Sequence, residues 1–292
     1  MTRRRKDWLI GLTIACVSVA LILILAAVRQ GRSREDVISR GGEKIAIVEL
    51  LGPIYDSRRI VRQIETYGEQ KSIRGILLRI DSPGGLVVPS QEIYESVRRV
   101  RDGGKPVLAF MGSVAASGGY YAACGADTLM AQPGTTTGSI GVIAEFMHTY
   151  ELFRKIGIKF EIIKSGPYKD LGSPHRGFTE ADRRHLQAWI DDAFDQFVTV
   201  VAESRRMTRR EALRIADGRV FTGRQALAIG LVDTLGYYRD AVDLTARMAG
   251  IEGEPTVVRE RTRRITLIDL FLEQIEGVLH GFGGTRLKYQ YQ

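Results

Sequence analysis

Ser117 stands in the run Val114-Ala115-Ala116-Ser117-Gly118-Gly119-Tyr120-Tyr121, where no bulky neighbour shields its hydroxyl. The two glycines after it let another backbone approach closely. The apolar run Tyr120–Cys124 predicts a short helix whose first amides point back at the serine and favour developing negative charge. These are features of an acyl-transfer nucleophile, which also needs a base to take its proton. Of the four histidines, His148 falls near a predicted helix start, His185 on a charged helix face and His280 in the tail. His175, in a loop, is the one suited to a serine–histidine–aspartate arrangement, and no GxSxG elbow is present. Lys169 is the alternative, provided that desolvation lowers its pKa. Gly166, Pro167, Tyr168 and Leu171 could supply that environment, and a carboxylate of Asp170 turned inward would oppose it. The residues alone leave both bases open. Each signal also has a plainer reading, as small-residue packing, a solvated loop lysine or a tight turn.

The elements that must position these residues alternate in type. Ile45–Leu50, Gly75–Ile80, Val107–Met111 and Thr128–Ala131 read as short buried strands. Residues 57–67 and 89–100 read as amphipathic helices, followed by a helix at 145–156, a strand at 159–163 and a long helix within 179–205. Such alternation predicts an α/β fold with βαβ units, right-handed crossovers and a mainly parallel sheet. Chemistry in such sheets gathers in loops after the strands. Three glycine-containing loops meet that rule: Asp81-Ser82-Pro83-Gly84-Gly85, Gly112–Gly119 and Ser165-Gly166-Pro167-Tyr168-Lys169-Asp170.

The chain has 292 residues, enough for a substantial core. Arg3, Arg4, Arg5 and Lys6 precede an uncharged run of 21 residues, Trp8–Val28. At about 1.5 Å per residue that run spans about 30 Å, the thickness of a bilayer core. A cleaved signal peptide has an apolar region of only about 7–15 residues. The expectation is a retained single-pass anchor, N-terminus cytoplasmic, with the rest of the chain outside the cytoplasm. Cys16 lies in the anchor and Cys124 in an apolar segment, so no disulfide joins them, and no Cys/His metal spacing occurs. The net charge of +8 is dispersed and in part flanks the anchor, where it suits lipid headgroups. Without any nucleic-acid-binding motif, it does not predict nucleic-acid binding.

Taken together, several segments resemble one family. Asp81-Ser82-Pro83-Gly84-Gly85, Ser117-Gly118-Gly119-Tyr120-Tyr121 and Gly134-Thr135 with Thr137-Gly138-Ser139-Ile140-Gly141 are similar to motifs of the signal peptide peptidase A family. So are Gly166-Pro167-Tyr168-Lys169-Asp170, Gly218-Arg219-Val220-Phe221-Thr222-Gly223 and Gly230-Leu231-Val232-Asp233. The resemblance covers about residues 44–250 and is to the short form, since the motif set occurs once. It implies a Clp/crotonase-like fold of repeated ββα units behind an N-terminal transmembrane helix. It implies a serine–lysine protease that needs no cofactor and no metal. Ser117 would be the nucleophile, Lys169 the general base and Ser139 the residue that holds the lysine amine. The amides of Gly84 and Gly118 would form the oxyanion hole. The resemblance further implies a homo-oligomer acting on peptides with small or apolar side chains, such as remnant signal peptides.

The expected organisation is a basic stub and anchor over 1–29, a tether over 30–43, a protease domain over 44–250 and a tail over 251–292. Ile265, Leu267, Ile268, Phe271, Leu272, Ile275, Val278 and Leu279 give the tail a broad apolar helical face. Two other functions compete: a serine–lysine protease paired with a stomatin-like partner that cleaves one membrane protein, and a catalytically silent membrane scaffold.

Overall fold

The computed structural model describes residues 43–260. The expected anchor, the tether up to residue 42 and the apolar tail face lie outside the described residues. Among those described, no helix is long and apolar enough to cross a membrane.

The elements run β1 (Lys44–Leu51), α1 (Arg58–Glu69), β2 (Ile73–Ser82), α2 (Val87–Asp102), β3 (Val107–Ala116) and α3 (Gly118–Ala123). There follow β4 (Thr128–Ala131), β5 (Thr136–Gly138), α4 (Tyr150–Lys155), α5 (Glu180–Ser204) and α6 (Arg209–Ile215). The last are β6 (Val220–Thr222), α7 (Gly223–Ala228), β7 (Thr234–Leu235), α8 (Tyr238–Met248) and β8 (Thr256–Arg259). One sheet holds all the strands in the order β6-β5-β3-β2-β1-β8, with β4 paired to β3 and β7 to β4. All pairs are parallel except β5–β6. This is the expected mixed α/β architecture, consistent with a Clp/crotonase-like fold.

Both faces of the central strands are buried, which explains their unbroken apolar runs. Successive side chains of a strand point to opposite faces. Ala46, Val48, Leu78 and Ile80 therefore pack with Ile64, Ile93 and Tyr120 on one side. Ile45, Ile47, Leu77 and Phe110 pack with Ala241 and Ala246 of α8 on the other.

Strand β3 changes neighbours along its length, and this positions the serine. Leu108–Met111 pair with β4, whereas Val114–Ala116 pair with β5. On its other edge the pairing with β2 slips, from Ile80 opposite Met111 to Ser82 opposite Ala115. Asp81 fills the slip by accepting a hydrogen bond from the Val114 amide at 3.1 Å. Thr135 Oγ1 closes the opposite side by donating to the Gly112 carbonyl at 2.7 Å. The second loop expected from sequence is therefore largely strand: β3 continues through Gly112 and delivers its last residue next to Ser117.

Two expectations are corrected. Residues 159–163 form no strand, and the helix expected over 145–156 is confined to Tyr150–Lys155. A strand is held by a ladder partner, and residues 159–163 are exposed and pair with no sheet edge among the described residues. Ile163 is 96% exposed. Alternating apolar side chains here mark an uncovered surface, not a buried strand.

Candidate active site

Ser117 occupies the one-residue junction between β3 and α3 with φ +52° and ψ −120°. A positive φ is costly for a non-glycine residue and persists only where its surroundings impose it. Here the Ser117 amide donates to the Gly138 carbonyl at 2.9 Å, and its carbonyl accepts from the Tyr121 amide at 2.9 Å. The backbone is thus pinned on both sides, and the residue lines a cleft.

Ser139 stands at the equivalent junction after β5 and also has a positive φ, +51°. Ala116 and Gly138 are paired across the sheet, so the ladder sets the two serines at neighbouring strand ends. The Ser139 amide donates to the Arg219 carbonyl at 2.9 Å. Phe221 stands over Gly138, where an added Cβ would lie 2.7 Å from the ring.

The glycine loop lies directly against the serine. Gly84 has φ +96°, and a Cβ there would fall 2.6 Å from the Gly118 nitrogen and 2.9 Å from the Ser117 Cβ. The Gly84 amide itself donates to Ser82 Oγ at 3.1 Å. Gly85 is equally confined, since an added Cβ would meet the Ile54 carbonyl oxygen at 2.2 Å. Bonds from Leu86 to Ile54 and from Ile54 to Gly84 bracket Gly85 and leave its own amide out of the pairing. That nitrogen is 3.3 Å from the point where a Gly118 Cβ would stand. As the first residue of α3, Gly118 has no carbonyl within the helix to receive its N–H. Gly85, not Gly84, lines the cleft with Ser117 and Gly118.

The cleft holds about 110 Å³, and Val87, Tyr121, Ile143 and Phe197 supply its apolar walls. Tyr121 is held edge-on to Tyr94 and tilted on Phe197, with ring centroids 5.3 and 5.0 Å apart. Burial pushes the Tyr121 phenol up to about 12, so it stays neutral at physiological pH. Burial likewise pushes the Cys124 thiol at the end of α3 up to about 12. That thiol is unreactive and belongs to the core.

The two candidate bases are placed differently from the serine. Lys169 is exposed in a series of turns in which its amide donates to Gly166 and the Leu171 amide donates to Tyr168. It is not among the residues lining the Ser117 cleft. His175 stacks on Phe160 at 3.7 Å with its Nδ1 buried and unpaired, and it too is absent from the cleft. Asp170 turns its carboxylate to Arg176 and Lys164, answering the concern that it would face Lys169.

Sequence reasoning missed three residues here. Asp182 could have been found, since Thr179-Glu180-Ala181-Asp182 has the spacing of a helix capping box. Arg176 and Phe197 carried no local signal, because their roles depend on partners brought close by the fold.

The family model described as Peptidase family S49 matches residues 99–252, more than half of the chain. The chain belongs to peptidase family S49. A second model, Clp protease, matches residues 30–137. A putative protease of Synechocystis sp. is 44% identical over 212 residues, covering 72% of this chain and 76% of that protein. A putative protease of Methanocaldococcus jannaschii is 34% identical over 269 residues, covering 87% and 86%. A putative signal peptide peptidase of Enterococcus faecium is 38% identical over 189 residues, covering 65% of this chain and 55% of that protein. This S49 chain is thus a serine peptidase with relatives of the signal peptide peptidase A type. Ser117, at positive φ, lines an apolar cleft beside two close-packed glycine turns.

Proposed function

We propose that this S49 peptidase is a membrane-anchored endopeptidase that degrades cleaved signal peptides through a Ser117–Lys169 dyad. The geometry at Ser117 carries the reading: a pinned, positive-φ hydroxyl at a strand–helix junction, with the Gly118 amide beside it. Lys169 Nζ takes the proton as Ser117 Oγ attacks the peptide carbonyl carbon. The resulting oxyanion is held by the amides of Gly118 and Gly85, with Gly84 packed behind them. Collapse breaks the C–N bond, and the leaving amine takes the proton from Lys169. Lys169 then deprotonates a water that hydrolyses the ester, releasing the acid and restoring Ser117. Ser139, one strand away, accepts the task of orienting the lysine amine.

A lysine can be neutral near pH 7 only when kept dry. In the single chain Lys169 is exposed, and so are Ile143, Met147, Phe160 and Ile163 in the segment that precedes it. Large apolar side chains left exposed along one segment point to an interaction site. We assign it to a second copy of the chain in a homo-oligomer, whose contact would cover the base. The small apolar cleft suits the short apolar side chains of signal-peptide remnants. The run Trp8–Val28 would anchor the enzyme, with the catalytic domain outside the cytoplasm.

The experiment is mass spectrometry of membrane peptides in cells carrying Ser117→Ala. Accumulated signal-peptide fragments are expected. Accumulation of one intact membrane protein would instead assign the enzyme to a dedicated substrate. No accumulation, together with no fluorophosphonate capture at Ser117 in the wild type, would leave the scaffold reading.

A further inference from the structure

Next to Lys169 lies a partly buried ionic cluster that the peptidase chemistry does not use. Arg176 binds Asp170 through two parallel hydrogen bonds, Nε and Nη2 each 2.9 Å from a carboxylate oxygen. Its Nη1 also reaches Asp182 at 2.5 Å and the Gly177 carbonyl at 3.0 Å. Asp182 closes the capping box of α5, accepting from the Thr179 amide at 2.9 Å. Lys164 completes the cluster, 2.7 Å from Asp170 and 3.2 Å from the Pro167 carbonyl. The Asp170 and Asp182 side chains are only 9% and 3% exposed, and that of Arg176 is 24% exposed.

A single guanidinium shared by two nearly buried carboxylates adds little net stability, because desolvation offsets the attraction. What the cluster does provide is geometry. Arg176 offers a rigid fork whose spacing fits carboxylates, so it fixes both of them at once. One of those carboxylates immediately follows Lys169, and the other is the first-turn cap of a 25-residue helix. The turn over 164–170 is thereby tied to the start of α5, the helix that supplies Phe197 to the cleft. On the far side His148 Nδ1 lies 3.0 Å from the Arg176 carbonyl, and Tyr168 stacks on His185 of α5.

Resting on the dyad reading above, we propose that Arg176 is a positioning residue for the general base: it fixes the turn that presents Lys169 and keeps the Asp170 carboxylate turned from the lysine amine. The charged groups facing this turn are Lys164 and Asp170 within it, Arg176 after it, and Asp182 and His185 from α5, with His148 facing the Arg176 carbonyl. Arg183 is occupied over the Phe178 ring. Removing Arg176 leaves the Asp170 carboxylate held only by the more exposed Lys164 among the described residues. It can then turn to the lysine amine and stabilise it as an ammonium, and the loosened turn lengthens the lysine's search for Ser117. Both consequences lower turnover, and the first is visible in pH dependence.

The test uses the full-length enzyme, a fluorogenic peptide and a fluorophosphonate, comparing wild type with Arg176→Gln, Arg176→Lys, Asp170→Asn, the Asp170→Asn/Arg176→Gln pair and Lys169→Ala. Arg176→Gln is expected to lose about tenfold or more in kcat with KM within about twofold. Its acid limb of kcat/KM should move to higher pH by about one unit, since that limb reports the base of the free enzyme. Adding Asp170→Asn should return the limb toward its wild-type position, and Arg176→Lys should fall between wild type and Arg176→Gln. Wild-type kcat and an unmoved limb in a folded Arg176→Gln would overturn the proposal. So would a loss that is equal at every pH and untouched by Asp170→Asn. Should Arg176→Gln fail to fold, Asp170→Asn decides: a several-fold fall in kcat at constant KM supports the clamp, and no change refutes it. If Lys169→Ala labels with fluorophosphonate like the wild type, the dyad itself is wrong. If Lys169→Ala is inert while Arg176→Gln behaves as wild type, only the positioning role is lost.

Discussion

The residues flanking Ser117 along β3 and α3 are buried, the backbone is bonded on both sides, and even a methyl group on Gly84, Gly85 or Gly118 would collide with a neighbour. Around Lys169 the chain is a series of exposed turns, with Ile163 96% exposed and the carboxylate of the neighbouring Asp170 bonded to Arg176. The difference separates two physical tasks. A serine nucleophile needs a fixed direction of approach, which sheet pairing and tight turns supply within one chain. A lysine base needs dryness, which a lone exposed turn cannot supply. In the proposed mechanism the nucleophile side is fixed within one chain, and the base side awaits a covering surface.

The sharpest break of this contrast is chemical. Ser117→Ala and Lys169→Ala should each lower peptide turnover at least about 10³-fold while leaving the circular dichroism spectrum unchanged. Retained turnover in either folded variant would remove that residue from the mechanism. Next in size is Gly118→Ala, whose Cβ would stand 2.3 Å from Ser90 Oγ and crowd the amide beside the serine. A fall of about 10²–10³-fold in kcat is expected, the range typical for losing an oxyanion donor. A loss confined to KM would argue against that amide's role.

A substitution on the exposed half should act through assembly. Ile163→Asp is expected to shift the oligomer toward smaller species in sedimentation and to lower turnover about tenfold, without moving the monomer's thermal transition. Unchanged assembly would mean that this face is covered by something other than a second copy.

Acid should loosen the same half first. Arg176 holds the carboxyls of Asp170 and Asp182 well below the usual carboxylate range. Groups with lowered pKa contribute fully above their unfolded value, near 4, and the contribution is lost as pH falls below it. Hydrogen exchange over residues 164–182 should therefore be steady from pH 7 to 5, after correction for intrinsic rates, and rise below about pH 4. The amides of β2 and β3 should stay protected. The smallest expected effect is at Cys124, whose buried, high-pKa thiol should resist iodoacetamide in the native enzyme at pH 8, as read by peptide mass spectrometry.

The strands and glycine turns around Ser117 were legible in the sequence because their signals are local. Apolar runs such as Gly75–Ile80 predict buried strands, and glycines before and after Ser117 predict close backbone approach. The segment that carries Lys169 was less legible, for a physical reason. The alternation in Lys159–Ile163 reads as a strand, but a strand also needs a free ladder, and none is offered there. The uptake of the Gly84 amide by Ser82 Oγ is likewise a contact no spacing rule contains. Arg176 is one basic residue among 42, and only the fold shows that it holds two carboxylates.

The central claim is that Ser117 is activated by Lys169. The most direct measurement is the rate of fluorophosphonate capture at Ser117 against pH, in wild type and Lys169→Ala, with the modified residue located by mass spectrometry. The account predicts capture at Ser117 in the wild type that rises with pH through a single ionisation and is lost in Lys169→Ala. Capture at the wild-type rate in Lys169→Ala, or capture at another residue, would contradict it.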